Sequence, residues 1–564
     1  MDGVTKLPFF PDDSLWITDI AAAVKEQAAL SYGTAQSKDR WQVFAYETLS
    51  AITGRMVYAA EVGNHDELTL PLPGTGWFRI YLGLASSLPG FLLMSMGIQA
   101  RLGSDPAFYK LNGYGSNWFW EMTDNLWKEA YLEDETLHFR NGAKMQSSLA
   151  WVRLEPMTAA EIAAAERRLK KTNPHTSITT NDAGWPNTLE DFYSTIIPFR
   201  ESNVKKIFFD LAEGDTCQLL PTQVGTVPAG RDGDHMRQID LEIGVALDQL
   251  RQEHPDAIAK LADFTHRLGL EFHASIRTGA MYLPGWHGNS NFFLDHPGYH
   301  CMNRDGSRVT RLSFAAPEVR AHLLALLSEM LTYDVDGLNL IFIRALPAML
   351  FELPFVTSFQ AAHGQDPRQL PEDDLRIPEH RATVMTAFIR QVRALLDTAG
   401  EHCGRRLELS ITAPATKNVN LFHGLDLRRW AQDGLIDQIL ADSSLQDRFH
   451  SENLENIDYP YFKEVCAGTA CAFYPKMIGI GEPEKILPYY QRALAAGASG
   501  FFLWDGTVNY ASYPRGWEYL HLLGDADTSA AEAALRRRPP ESRLHLLKTL
   551  AGYDYSQYPP HVSY

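Results

Sequence analysis

The chain is 564 residues long, more than a single hydrophobic core organises, so two or three domains are expected. Lys and Arg number 51 against 69 Asp and Glu, a formal charge of −18, which excludes a grip on nucleic acid or an anionic membrane driven by charge neutralisation. No run approaches the roughly 18 to 20 apolar residues that cross a bilayer, and Cys217, Cys301, Cys403, Cys466 and Cys471 lack the CxxC spacing of a zinc site or the density of a disulfide framework.

The amino terminus, MDGVTKLPFFPDDSLW, has acids and prolines in place of a basic segment followed by an apolar run, so no secretory leader is expected. With five free thiols this predicts a cytoplasmic protein. From about residue 38 to 157, β-prone runs such as WQVFAYETLS, RMVYAAEV and WFRIYLGL alternate with Gly, Pro, Asn and Asp clusters, the pattern of an antiparallel β-sandwich. Residues 1–157 are therefore expected to form one such domain. MTAAEIAAAERRLKK (157–171) is rich in Ala, Glu and Lys behind a Thr, and predicts a helical linker over 158–174.

Beyond Pro174 the pattern changes to short apolar strands alternating with amphipathic helices, which implies a parallel sheet with helical crossovers. Eight strands are predicted: 176–182, 205–213, 271–279, 336–345, 407–415, 436–444, 470–477 and 499–506. Eight such units close naturally into a ring, so the fold class is α/β, a (β/α)₈ TIM barrel over 175–524 preceded by the sandwich. Long insertions at 214–255, 280–316 and 346–378 follow the second, third and fourth strands and would wall a pocket at the strand carboxyl ends. Residues 525–564 read as a terminal helix and a tail whose Tyr553, Tyr555, Tyr558 and Tyr564 suit packing or a homodimer contact.

Catalytic groups on this fold sit at strand carboxyl ends, which offer Asp182, Asp442 and Asp505, with Asp215 and Glu352 in the following loops. Cleaving a glycoside needs one carboxyl to protonate the leaving oxygen and a second as base or nucleophile, about 5 to 9.5 Å away. On the third strand His273, Ser275 and Arg277 alternate onto one face; His273 is the candidate imidazole, set deeper than Arg277. Arg277 and Arg344 end adjacent strands and as a pair suit a ligand carboxylate, such as a uronic or sialic acid, or else neutralise pocket acids. Trp185, Trp286, Tyr474 and Trp504 offer flat faces for a sugar ring, and Lys476 a further cation. No phosphate-binding glycine loop or HExxH spacing occurs, so neither cofactor nor metal is expected, although Asp210, Glu213 and Asp215 offer hard oxygen ligands for Mg²⁺ or Ca²⁺.

The stretch 296–347, with its His-Pro segment, D-G turn, helix and a fourth strand opening Val-Asp-Gly and closing near an Arg, resembles the family-10-like glycosyl hydrolases; 498–505, ASGFFLWD, looks like their eighth strand. GWFRIYLGL (76–84) and AWVRLEP (150–156) likewise resemble accessory sandwiches of carbohydrate-active enzymes. The resemblance implies a barrel acting on O-glycosidic bonds. Two departures matter. The fourth strand carries Leu340, Ile341 and Phe342 where relatives often have an acid, and the seventh reads FYPKM without the Glu of retaining barrels. The carboxylate pair must then come from elsewhere on the rim, and a sugar-acid lyase or isomerase, or a barrel that binds carbohydrate without turning it over, are the alternatives.

Overall fold

The computed structural model describes residues 4–5, 13–33, 37–60, 65–85, 97–112, 121–142, 146–182, 188–227, 238–280, 282, 288–443, 457–477, 483–506, 520 and 544–556. Trp185 and Trp286 lie outside the described residues, as does the side chain of Asp182. The chain divides into two units, one of residues 1–173, 193–203 and 507–564, the other of 174–192 and 204–506.

The second unit is the barrel. Its strands are β1 (Ser177–Asp182), β2 (Val204–Glu213), β3 (Glu271–Arg277), β4 (Gly337–Ile341), β5 (Glu408–Pro414), β6 (Gln438–Asp442), β7 (Ala472–Pro475) and β8 (Phe502–Leu503), each falling on an expected run. They pair in parallel in chain order, and β8 returns to β1 through Ile178↔Phe502 and Thr179↔Leu503. A single bridge, Lys476↔Phe502, joins β7 to β8 and brings the ring nearly to closure. Parallel neighbours need a crossover; helices such as Ala257–Arg267, Pro317–Met330 and Arg376–Cys403 supply it. The last ends on Gly404 at φ 70°, a left-handed cap that glycine adopts without a Cβ clash.

Alternate residues of each strand face inward. Ile178, Phe208, Ile341, Ile343, Leu440, Tyr474, Phe502 and Trp504 pack into one core cluster, each buried side chain stabilising the ring by about 1.5–3 kcal/mol. Beneath the aromatic layer lies a polar floor. Lys206 Nζ bonds the Glu408 carboxylate and lies 3.3 Å from Glu271, Gln438 Nε2 donates to Glu408 at 2.7 Å, and His273 Nε2 approaches Glu271 at 3.3 Å. Burial alone would raise the Glu271 carboxyl, but the His273 hydrogen bond and the Lys206 charge outweigh it and hold it well below the usual range.

The three insertions are structured in part. Helix Gln238–Glu253 lies within the first, the hairpin His300–Met302 with Arg308–Leu312 within the second, and helix Leu353–His363 within the third.

The first unit holds two sheets. The larger runs Val4–Thr5, Leu15–Ile17, Trp151–Pro156, Gly76–Ala85, Glu121–Leu132, Leu544–Leu550, Trp41–Thr48, Thr53–Ala59 and Ser147–Leu149, and a four-stranded sheet comprises Leu68–Pro71, Thr136–Arg140, Gly97–Leu102 and Tyr109–Asn112. Leu544–Leu550 is thus a strand, where a terminal helix is expected from sequence. It joins Thr123 on one side to Thr48 on the other, and its Leu547 and Leu550 pack with Trp16, Tyr46, Met122 and Trp151. The expected helix over the linker forms at Ala159–Leu169, opened by a reciprocal capping box between Thr158 and Glu161.

Candidate active site at the carboxyl ends of the barrel strands

On β2 the inward face runs Lys206, Phe208, Asp210, and a bulge then inserts Leu211, so that Asp210 opposes Ser275 while Ala212 opposes Ile276. The extra residue restores Glu213 to the register of Arg277, so both acids of β2 serve one guanidinium. Arg277 Nε lies 3.6 Å from Asp210 Oδ2 and Nη1 3.3 Å from Glu213 Oε2. Below Arg277, Ser275 accepts from Asn339 Nδ2 at 2.9 Å and Thr412 donates to Asn339 Oδ1 at 3.1 Å, a hydrogen-bonded layer that fixes the third, fourth and fifth strands against one another.

Opposite, Asp442 ends β6, buried, with Lys476 Nζ 3.1 Å from its Oδ1. Trp504 follows β8, and three cations gather on its indole: Arg344 Cζ at 5.2 Å from a ring centroid, Arg277 Cζ at 5.7 Å and Lys476 Nζ at 5.8 Å. The indole is only 7% exposed, so it forms the floor on which the cations lie and not an open stacking face. Two rim residues hold strained backbone: Arg344 at φ 63° and Asp505 at φ 46°. The turn at Asp505 is fixed by its N–H to Thr180 Oγ1 at 2.9 Å and by Gly506 N–H to Thr179 Oγ1 at 3.1 Å.

The rim therefore brings together Arg277, Arg344, Asp442, Lys476, Trp504 and Asp505 of the residues singled out from sequence. Asp182 stands at the end of β1 in register with Asp210. Four candidates are placed otherwise. His273 lies in the polar floor, tilted against Phe208 with ring centroids 4.8 Å apart, two inward positions below Arg277. Asp215 is fully buried in the turn after β2, accepting from Tyr282 OH at 2.8 Å and bonded to His322 Nε2 at 3.0 Å. Glu352 immediately precedes helix Leu353–His363 without bonding its N–H groups, and accepts instead from Ser313 Oγ and from the N–H groups of Leu350 at 3.0 Å and Met302 at 3.2 Å; burial pushes its carboxyl up. Tyr474 belongs to the barrel core, where burial raises its phenol.

Asp210 and Glu213, which the sequence offers with Asp215 as oxygen ligands for a cation, engage Arg277, a pairing that sequence reasoning missed. The period-two step from Phe208 to Asp210 was the available signal. Glu271, His273 and Glu408 present ligand atoms within 4.8 Å of one another, but the Lys206 ammonium already supplies the positive charge there. Among the described residues no helix is long and apolar enough to cross a membrane.

No protein-family model matches the chain, and no curated protein matches it. Solved structures do. An α-galactosidase from Thermus thermophilus in complex with p-nitrophenyl α-D-galactopyranoside is similar at 13% identity and a TM-score of 0.33, covering 82% of this chain and 90% of that one. A β-(1,4)-mannanase from Podospora anserina is similar at 10% identity and a TM-score of 0.28, covering 87% and 96%. The tandem catalytic modules of a pneumococcal exo-β-D-N-acetylglucosaminidase give 10% identity and a TM-score of 0.34, covering 64% and 84%. The solved structures named here are all glycoside hydrolases.

Proposed function

We propose that the chain is a glycoside hydrolase that cleaves an O-glycosidic bond to an acidic sugar at the carboxyl-terminal mouth of its barrel. The observation that carries the reading is the convergence of Arg277, Arg344 and Lys476 on Trp504, with Asp442 and Asp505 on the same rim.

The cations divide by partner. Arg277 is engaged by Asp210 and Glu213, and Lys476 by Asp442. Among the described residues Arg344 has no carboxylate partner, and a strained backbone aims it at the indole, which equips it to take a substrate carboxylate in a forked, charge-assisted pair.

Asp442 and Asp505 end strands two steps apart around the ring, about 9–10 Å at ~4.8 Å per strand. A glycosidase pair at that separation requires the two carboxyl groups to lie about 5 to 9.5 Å apart. Asp442, ion-paired with Lys476, serves as base or nucleophile, and Asp505, on the β8 turn, delivers the proton to the leaving oxygen. Asp210 and Glu213 orient Arg277. Membership of the family-10-like glycosyl hydrolases and a cytoplasmic setting, consistent with five free cysteines, belong to the same proposal.

A panel of chromogenic glycosides that includes uronides and sialosides tests it. Turnover of an acidic glycoside above its neutral counterpart is the expected result. Turnover of neutral glycosides alone removes the acidic-sugar reading, and calorimetric binding of a sugar acid without turnover of any glycoside turns the chain into a binding protein.

A further inference from the structure

The late strand Leu544–Leu550 carries a histidine into the core of the first unit. His545 opposes Met122 in register and is 4% exposed, and its ring stands edge-on to Trp151, with centroids 5.4 Å apart and planes at 88°. Trp151 Nε1 donates to Asp124 Oδ1 at 3.0 Å, which fixes the indole against which the imidazole packs. The Nδ1 of His545 lies 2.8 Å from Ser50 Oγ, 495 positions away in the chain.

Ser50 sits in the turn between the strands Trp41–Thr48 and Thr53–Ala59. Thr48 N–H bonds Ile52 O at 2.9 Å, Ala51 N–H bonds Thr48 O at 3.0 Å, and Ala51 takes a left-handed φ of 64°, a strained state for a residue with a Cβ. Two hydroxyls line up across this turn: Ile52 N–H donates to Thr48 Oγ1 at 3.0 Å, and Thr48 Oγ1 lies 3.0 Å from Ser50 Oγ. Ser50 is half-buried, beside Leu49 at 55% exposure, so one side of the turn meets solvent. A hydroxyl within hydrogen-bond reach of an imidazole, on a strained turn and backed by an oriented ring, is the arrangement of an activated nucleophile.

We propose that Ser50 and His545 form a nucleophile–base pair that takes a small acyl ester, a second hydrolytic site that lies in the first unit. In the resting pair Ile52 N–H fills one lone pair of Thr48 Oγ1, the Thr48 proton goes to Ser50 Oγ, and the Ser50 proton goes to Nδ1 of a neutral imidazole. Burial lowers the His545 pKa against the pull of Asp124, which keeps that neutral form. Oγ attacks the ester carbonyl carbon as its proton passes to Nδ1. The bond to the alcohol oxygen then breaks, and the imidazolium returns the proton to that leaving oxygen. Water gives a proton to Nδ1 and attacks the acyl carbon, the carboxylic acid departs, and Ser50 recovers its proton. One ester and one water become one acid and one alcohol. Among the described residues the Ser50 N–H has no hydrogen-bond partner, which leaves it to the oxyanion. The pair works whatever the reaction at the barrel mouth.

The test treats the full chain with a fluorophosphonate, which phosphonylates activated serines, and maps the adduct by peptide mass, beside assays with p-nitrophenyl acetate. The expected adduct lies on Ser50 and forms at least about 10² times faster in the folded chain than in urea, the low end of what a general base supplies. Ser50→Ala should reduce acetate turnover to background, and His545→Asn, which keeps a hydrogen-bond acceptor without the base, should slow the Ser50 adduct by about 10² or more. Circular dichroism establishes that each variant is folded, and the comparison with urea needs no variant. Three results overturn the proposal: no adduct on Ser50 in the native chain, equal rates in the folded and unfolded chains, or acetate turnover undiminished in Ser50→Ala.

Discussion

Lys476 Nζ lies 3.1 Å from Asp442 Oδ1, so the residue after the seventh strand places its charge on the carboxylate that ends the sixth. Replacing Asp442 by Asn removes the charge and keeps the shape. Turnover is expected to fall by about 10² to 10⁴, with a circular-dichroism spectrum unchanged from the native chain. Steady-state kinetics on the best chromogenic substrate check this, and a native kcat in Asp442→Asn would remove Asp442 from the reaction.

Arg344 and Arg277 are expected to fail in different ways. Arg344→Gln should raise KM for an acidic glycoside by about 10- to 100-fold, the worth of one charge-assisted hydrogen bond, while leaving a neutral analogue unaffected. Arg277→Gln strands Asp210 and Glu213 without their cation and should lower kcat on both substrates. Equal effects of Arg344→Gln on acidic and neutral sugars would dismiss it as the carboxylate anchor.

Asp505 occupies a left-handed conformation at φ 46°. Asp505→Gly relieves a backbone cost of about 1 kcal/mol and should raise the thermal midpoint while abolishing proton delivery. Asp505→Asn should abolish turnover without the gain in stability. Thermal melts run beside kinetics separate the two effects.

Asp215 and Glu352 are read here as structural. Asp215→Asn weakens its bonds to Tyr282 and His322, and Glu352→Gln weakens the bonds that Ser313 Oγ and the N–H groups of Leu350 and Met302 make to its carboxylate. Each should cost about 1–3 kcal/mol of stability and leave kcat within severalfold of native. A loss of kcat as deep as that of Asp442→Asn, in a folded variant, would return either residue to the catalytic list.

Acid should weaken the fold through His423, whose pKa burial lowers to about 4, helped by the neighbouring Arg381 charge. A histidine held neutral in the folded state binds fewer protons than its unfolded counterpart, so stability falls as pH drops from about 6.5 to about 4 and levels off below. Denaturant midpoints across that window should drop less in His423→Phe than in the native chain.

The eight barrel strands could be read from the sequence because each is a short apolar run between helices of clear periodicity, and Arg277, Arg344, Asp442 and Asp505 followed as strand-end residues. The finer placement could not. Three acids lie within six residues at Asp210, Glu213 and Asp215, and only the bulge at Leu211 decides that the first two share Arg277 while the third turns into a buried contact. His273 alternates correctly with Arg277, yet depth along the strand sets it against Phe208 and the floor. Leu544–Leu550 reads as helix because LHLLKTL has no turn signal to break it; its strand state is dictated by partners at Thr123 and Thr48, more than four hundred residues away.

That late strand has a consequence for synthesis. It sits in the middle of its sheet, between Glu121–Leu132 and Trp41–Thr48, so the amino-terminal sheet emerges from the ribosome with a gap and two open edges. Every barrel strand is translated before the gap can be filled. A nascent chain stopped after residue 506 should therefore bury Trp151 incompletely and expose sticky strand edges, making the carboxyl-terminal segment the keystone of a module begun at the opposite end of the polypeptide.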